Sequence, residues 1–281
     1  MTREDALRLE IVEVGRRLWA RGYVASNDGN ISVRLDSGRL VATPTGVSKG
    51  FMTPDMMVVT DLAGRTLAGA RAVSSEIKMH LAIYEARPEV QAVVHAHPPL
   101  ATGFAVAGIP LDRAVLAEVV TTLGSVPIAD YGTPSTAELP DAVRKYVKAY
   151  DGLLLANHGA VTLAGDLMAA YYKMETIEHF AQISLVARLL GGERLLSRDE
   201  VLRLQGLRGR YGIAAPAPIC VDGATTDGEA SCQVVRAPEA QEPGQRLVDD
   251  RLRAGTSADG EIRLTYRELA ALIEDAVKAI R

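Results

Sequence analysis

Val90-Gln91-Ala92-Val93-Val94-His95-Ala96-His97-Pro98-Pro99 is the stretch on which the reading of this chain turns. Val90 to His97 has the composition of a buried strand, and the two prolines close it. Side chains at i and i+2 of a strand share a face, so His95 and His97 can present two imidazoles to one ion. Just upstream, a helix opening at Ser74 carries Ile77, His80, Leu81 and Tyr84 on one face and stops before Pro88. A helix thus feeds straight into a buried strand.

Further out, Thr2 and Asp5 can cap a first helix running to about Ala20, with Leu7, Ile11, Val14 and Leu18 at helical spacing and Gly22 past its end. Asn30 to Leu35, Arg39 to Thr43 and Met56 to Thr60 read as strands joined by turns. Residues 113–124 and 136–150 look helical, and Gly152 to Ala156 and Ala160 to Leu163 look like strands. Asp166 opens a long helix ending at Gly191-Gly192. The expected fold is α/β, a three-layer αβα sandwich around a mixed or antiparallel central sheet.

With 281 residues, 48% of them hydrophobic and 23% charged, the chain can bury a full core. One catalytic domain with appendages is the simplest reading. The net charge of −4, with no dense Lys/Arg block, argues against nucleic acid or an anionic membrane as main partner and leaves a small ligand. The charged start and the lack of any run near the ~20 apolar residues of a membrane span predict a soluble, cytoplasmic protein without a secretory signal. Cys220 and Cys232 form no CxxC and read as plain thiols.

The third histidine in a metal-like context is His158, in Ala156-Asn157-His158-Gly159 at the end of another expected strand. Three neutral nitrogen ligands leave a divalent ion its full charge and an open position, as a Lewis-acid catalyst needs. An HxH pair alone is more often a pair of core or turn histidines. Glu76, after Ser74-Ser75 at a helix start, reads by itself as an ordinary capping arrangement. His80, one turn later, and His179, in the helix from Asp166, read as packed core histidines.

Taken together, Gly29-Asn30-Ile31-Ser32, Thr43-Pro44-Thr45-Gly46, Ser74-Ser75-Glu76, His95-Ala96-His97 and Asn157-His158-Gly159 resemble the class II aldolase/adducin-head family, and its fuculose-phosphate aldolase type most closely. The likeness covers about residues 5–212, with five motifs in the family's order. The resemblance implies that His95, His97 and His158 are zinc ligands, with Mn2+, Fe2+ or Co2+ as alternatives. Glu76 would be both the acid/base and the fourth ligand at rest. It also implies a phosphate pocket from Gly29, Asn30, Thr45, Gly46, Ser74 and Ser75, for which glycine-flanked turns and a helix N-terminus are physically apt. Tyr211, in Arg210-Tyr211-Gly212, is similar to the tyrosine that serves the aldehyde end. The family's other active-site tyrosine is missing, Ala114 standing about where it would be; Tyr131 is either its replacement or an ordinary packed residue.

The implied reaction is reversible cleavage of a ketose 1-phosphate to dihydroxyacetone phosphate and an aldehyde. A pentulose-phosphate 4-epimerase or sugar-acid phosphate decarboxylase would use the same site, and a non-catalytic adducin-like interaction module is the alternative of another class. A homotetramer is implied by resemblance. Residues 213–262, rich in Ala, Pro, Gly, Asp and Glu, are expected to be a linker after a catalytic domain of residues 1–212. Residues 263–281 form an amphipathic pattern, capped by Thr265 and Glu268, that suits docking on a partner such as a bacterial microcompartment shell, or packing on its own oligomer.

Overall fold

Thr2 and Asp5 cap each other's backbone as expected, Thr2 Oγ1 accepting from Asp5 N at 3.1 Å and Asp5 Oδ2 from Thr2 N at 2.9 Å. They open α1 (Arg3–Ala20), which buries Ile11, Val14 and Leu18. The computed structural model describes the backbone of residues 1–211 and the side chains of residues 1–210. The linker expected over 213–262, the docking helix expected over 263–281, Cys220 and Cys232, and the side chain of Tyr211 lie outside the described residues.

After α1 the chain forms β1 (Asn30–Arg34), β2 (Arg39–Ala42), β3 (Val58–Asp61) and β4 (Thr66–Ala68), then α2 (Ile77–Ala86), β5 (Ala92–Ala96) and α3 (Pro99–Ala107). It continues through α4 (Ala117–Thr122), β6 (Ile128–Ala129), α5 (Glu138–Arg144), β7 (Gly152–Leu155), β8 (Gly159–Ala164), α6 (Leu167–Leu189) and α7 (Arg198–Leu207). The strands make one sheet in the order β4-β3-β2-β1-β5-β8-β7-β6. Every pair is antiparallel except β6 with β7, so the sheet is mixed.

Both faces of this sheet are covered, which the burial of alternate residues makes plain. Ala92, Val94 and Ala96 of β5 join Ala160 and Ala164 of β8 in a core with Ile11 of α1, Phe104 of α3 and Phe180 of α6. Val93 of β5 joins Val161 and Leu163 of β8 in a second core with Met79 and Ile83 of α2 and Val143 of α5. His95 shares the parity of Val93 and so faces the α2 side. The three-layer αβα sandwich is the observed fold.

Several expected elements shift. Pro54 starts a short 3-10 turn to Met56, which delays the third strand to Val58. Leu111 pairs with Val126 in an isolated bridge, so the helix expected over 113–124 shrinks to Ala117–Thr122. The helix expected over 136–150 ends at Arg144, with turns following. Elements β4, β6, α3 and α7 were not expected. Pro98-Pro99 both closes β5 and opens α3, because proline fits the first turn of a helix, where its missing N–H costs nothing. His179 is exposed rather than packed, since α6 turns Met174, Ile177, Phe180 and Ala181 inward and leaves position 179 in solvent.

Candidate metal centre and anion cleft

The central strand β5 fixes two of the three histidines. In the ladder His95 lies opposite Asn30 of β1 on one side and Val161 of β8 on the other. His97 follows the strand end and is held by its own N–H donating to the Tyr23 carbonyl at 2.9 Å. His158 ends the tight Ala156–His158 connection of the β7–β8 hairpin, where Asn157 takes the left-handed conformation at φ 53°. Asparagine tolerates that region because its short amide bonds locally.

Glu76 is the residue immediately before α2, but its side chain makes no cap bond there. The capping role read from sequence does not hold. The carboxylate turns to the histidines instead: Oε2 lies 3.3 Å from His95 Nε2 and Oε1 lies 3.2 Å from His158 Nε2. His97 Nε2 is 3.1 Å from His95 Nε2. Asn30 Nδ2 donates to Glu76 Oε2 at 2.7 Å, which fixes the carboxylate from the neighbouring strand.

These distances and the tautomers together fit a cation. His95 Nδ1 lies 2.9 Å from the Ala160 carbonyl, which can only accept, so the proton sits on Nδ1 and the Nε2 lone pair points inward. His97 Nδ1 faces Asp28 Oδ2 at 3.5 Å, with the same consequence. Inward lone pairs meeting a carboxylate repel unless something positive lies between them. Four ligands about 2.0–2.1 Å from a tetrahedral ion would stand ~3.3 Å apart, close to what is seen. The three histidines place one ligand atom each within 4.8 Å of one another.

The electrostatics agree. Burial drives His97 down to about 4, with His95 and His158 beside it adding to the effect, so at neutral pH it is an uncharged ligand. Burial alone would raise the Glu76 carboxyl, but the neighbouring His95 and His158 outweigh it and hold it well below the usual carboxylate range. His80 is the packed histidine that the sequence suggests: buried, with Nδ1 2.6 Å from Ser32 Oγ. Burial, with His95 close by, pushes it down to about 3.

Beside Glu76 and the three histidines opens a cleft of about 220 Å³. Gly29, Asn30, Thr45, Gly46, Ser74 and Ser75 all line it, as do Glu76, His97 and His158. An isolated bridge between Pro44 and Val73 brings the second and third turns side by side, through Thr45 N to Ala72 O at 3.0 Å and Ser74 N to Thr43 O at 3.2 Å. Gly29 has φ 71°, and a Cβ there would stand 2.8 Å from the His95 carbonyl. Its turn therefore presses against the metal strand. Tyr131 is exposed at 59%, so it is not the packed residue, and it lies outside this lining. Sequence reading missed Lys49, which also lines the cleft. Its only signal was its place three residues after Gly46.

Residues 9–185 match the family described as Class II Aldolase and Adducin N-terminal domain. This chain belongs to the class II aldolase/adducin family. The family's enzymes are metal-dependent, in keeping with the histidine triad. Among its relatives, the 3-oxo-tetronate 4-phosphate decarboxylase of Pectobacterium atrosepticum is 33% identical over 210 residues, 73% of this chain and 94% of that one. The L-fuculose phosphate aldolase of Methanococcus maripaludis is 34% identical over 177 residues, 63% of this chain and 95% of that one. The crystal structure of YgbL from Klebsiella pneumoniae, described only as an aldolase, epimerase or decarboxylase, superposes with a TM-score of 0.67 at 33% identity, covering 73% of this chain and 99% of that one.

Proposed function

We propose that this chain is a metal-dependent lyase that reversibly cleaves a ketose 1-phosphate of the fuculose-phosphate kind to dihydroxyacetone phosphate and an aldehyde. The observation that carries the reading is the meeting of His95, His97, His158 and Glu76 at the mouth of a cleft walled by three small-residue turns. The three histidines, with Glu76 at rest, would hold one divalent ion, for which zinc is the first choice. Such an ion supplies Lewis-acid stabilisation of the negative charge that develops beside the breaking bond.

The protein's own groups do the rest. Gly29, Thr45 and Gly46 offer backbone, and Ser74 and Ser75 hydroxyls, to the phosphate, and so fix the distance from phosphate to reacting carbon. As the C3–C4 bond breaks, its electron pair passes to C3 and the C4 hydroxyl loses its proton to become the aldehyde. Glu76, ionised at rest, takes that proton and returns it to C3, so the cleavage is balanced without an external acid. Asn30 keeps the carboxylate aimed. Tyr211 is assigned to the aldehyde end.

A second reading, decarboxylation of a 3-oxo sugar-acid phosphate, is favoured by one observation: no tyrosine lines the cleft among the described residues. Loss of carbon dioxide needs no base at a C4 hydroxyl. The decarboxylase relative points the same way. We assign residues 1–212 to catalysis and residues 213–262 to a linker. Residues 263–281 are the docking element, and the working form is a cytoplasmic homotetramer.

The deciding experiment measures metal content and the release of dihydroxyacetone phosphate from fuculose 1-phosphate and ribulose 1-phosphate, beside carbon dioxide from 3-oxo-tetronate 4-phosphate. About one metal per chain and dihydroxyacetone phosphate release that collapses in Glu76→Gln supports the aldolase. Carbon dioxide release alone replaces it with the decarboxylase. Full activity after exhaustive chelation would sink both.

A further inference from the structure

Lys49 is 2% exposed, at the start of the 3-10 turn Lys49–Phe51. Two glycines press the backbone of this turn onto α1. A Cβ on Gly15 would stand 2.8 Å from the Lys49 carbonyl, and one on Gly50 would stand 2.5 Å from the Trp19 ring. The aliphatic stem is thereby buried and the ammonium reaches the cleft wall. There Nζ donates to the Asn27 carbonyl at 3.0 Å and the Val47 carbonyl at 2.8 Å, one in each of two loops that wall the cleft. Two of its three donors are used.

Among the described residues, no carboxylate lies within ion-pairing distance of this ammonium. Asp28 and Glu76 act on it only from farther away. A buried cation without a counter-ion is costly, and a fixed anion is what would offset the cost. Among the described residues, Lys49 is also the only lysine or arginine lining a cleft whose other charged side chains, Asp28 and Glu76, are negative. Without it, the cleft's own side chains would set only negative charge around a phosphate.

We propose that Lys49 is the cation that recognises the substrate's phosphoryl group, neutralising it from behind the donors of the three turns. This rests on the reading of the cleft as a phosphate site and adds the charge that reading lacks. Burial brings the lysine down to about 8, opposed by Asp28 and Glu76, so it is still mainly charged at pH 7.

The test is calorimetric titration of inorganic phosphate into the metal-loaded wild type, Lys49→Met and Lys49→Arg. Charge-assisted bonding predicts affinity about 50-fold weaker in Lys49→Met and largely restored in Lys49→Arg. Equal affinity in wild type and a folded Lys49→Met would overturn the assignment and leave the phosphate site standing. A wild type that binds no phosphate would overturn both. A measurement on the unmutated protein guards against a variant that fails to fold: with 13C-labelled lysine, saturating phosphate should raise the titration midpoint of Lys49 by a unit or more. A midpoint unmoved by bound phosphate would refute the proposal.

Discussion

Gly159 lies against the edge of the His97 imidazole: a Cβ at Gly159 would fall 2.5 Å from His97 Cδ2 and 2.6 Å from the Ala96 carbonyl oxygen. The same added atom would stand 3.3 Å from His95 Cε1. The missing side chain is therefore what lets β8 start directly beneath the imidazole pair. Gly159→Ala should weaken metal binding by about 10–100-fold, the usual cost of disturbing what orients a ligand. Metal per chain after gel filtration, read by mass spectrometry, checks this; unchanged content would refute it.

Asn30 should control turnover rather than metal. Its amide holds Glu76 Oε2 at 2.7 Å, and a carboxylate released by Asn30→Ala would sample positions an ångström or more away. Misplacement on that scale costs on the order of 10²-fold. The expected outcome is kcat down by about that factor with metal content within twofold of wild type.

His80 should make the fold acid-sensitive. Its folded pKa of about 3 lies below the ordinary 6.5, so the unfolded chain binds this proton first as pH falls. Stability is therefore fully present above pH 6.5 and is lost progressively down to about pH 3, at up to about 1.4 kcal/mol per pH unit for this one group. In metal-free protein, urea unfolding at pH 7 and pH 4.5 should show a smaller acid loss for His80→Gln than for wild type. An identical loss in both would refute the assignment.

Glu178 caps α3 from the middle of α6. Its buried carboxylate accepts from Leu100 N at 3.1 Å and Ala101 N at 2.8 Å, two of the donors that a helix start leaves unsatisfied. Glu178→Ala should cost about 2 kcal/mol in urea unfolding, the range for a charged hydrogen bond and a lost cap. A change below half of that would show that solvent reaches those amides.

Much of this architecture was legible because its signals are local. Thr2-Asp5 and Asp166 announce helix starts by their own side chains, and the alternation through Val93, Val94 and His95 puts the metal ligand on a known face. The helix α3 was not legible, since its cap sits 78 residues away and its prolines read equally well as a stop. The helix α7 does carry a local signal, Ser197 and Glu200 in a capping box. Around the cleft, the motif residues that the sequence singles out are the ones that the fold brings together. Lys49 is not among them, because its burial depends on Gly15 meeting the Lys49 backbone and Gly50 meeting the Trp19 ring across the fold. Glu76 looked like a cap until the ladder set Asn30 beside His95.

The bridge between Pro44 and Val73 has a consequence for how such a site can change over generations. The histidine cluster is anchored by His95 on β5, flanked by β1 and β8, where any drift must carry two neighbouring strands with it. The cleft wall of small-residue turns is sewn together at its rim by two backbone bonds outside the named strands, from Thr45 to Ala72 and from Ser74 to Thr43. Substitutions and insertions in those turns leave the ladder intact, so selection can retailor which molecule the cleft seats while the histidine cluster is inherited unaltered.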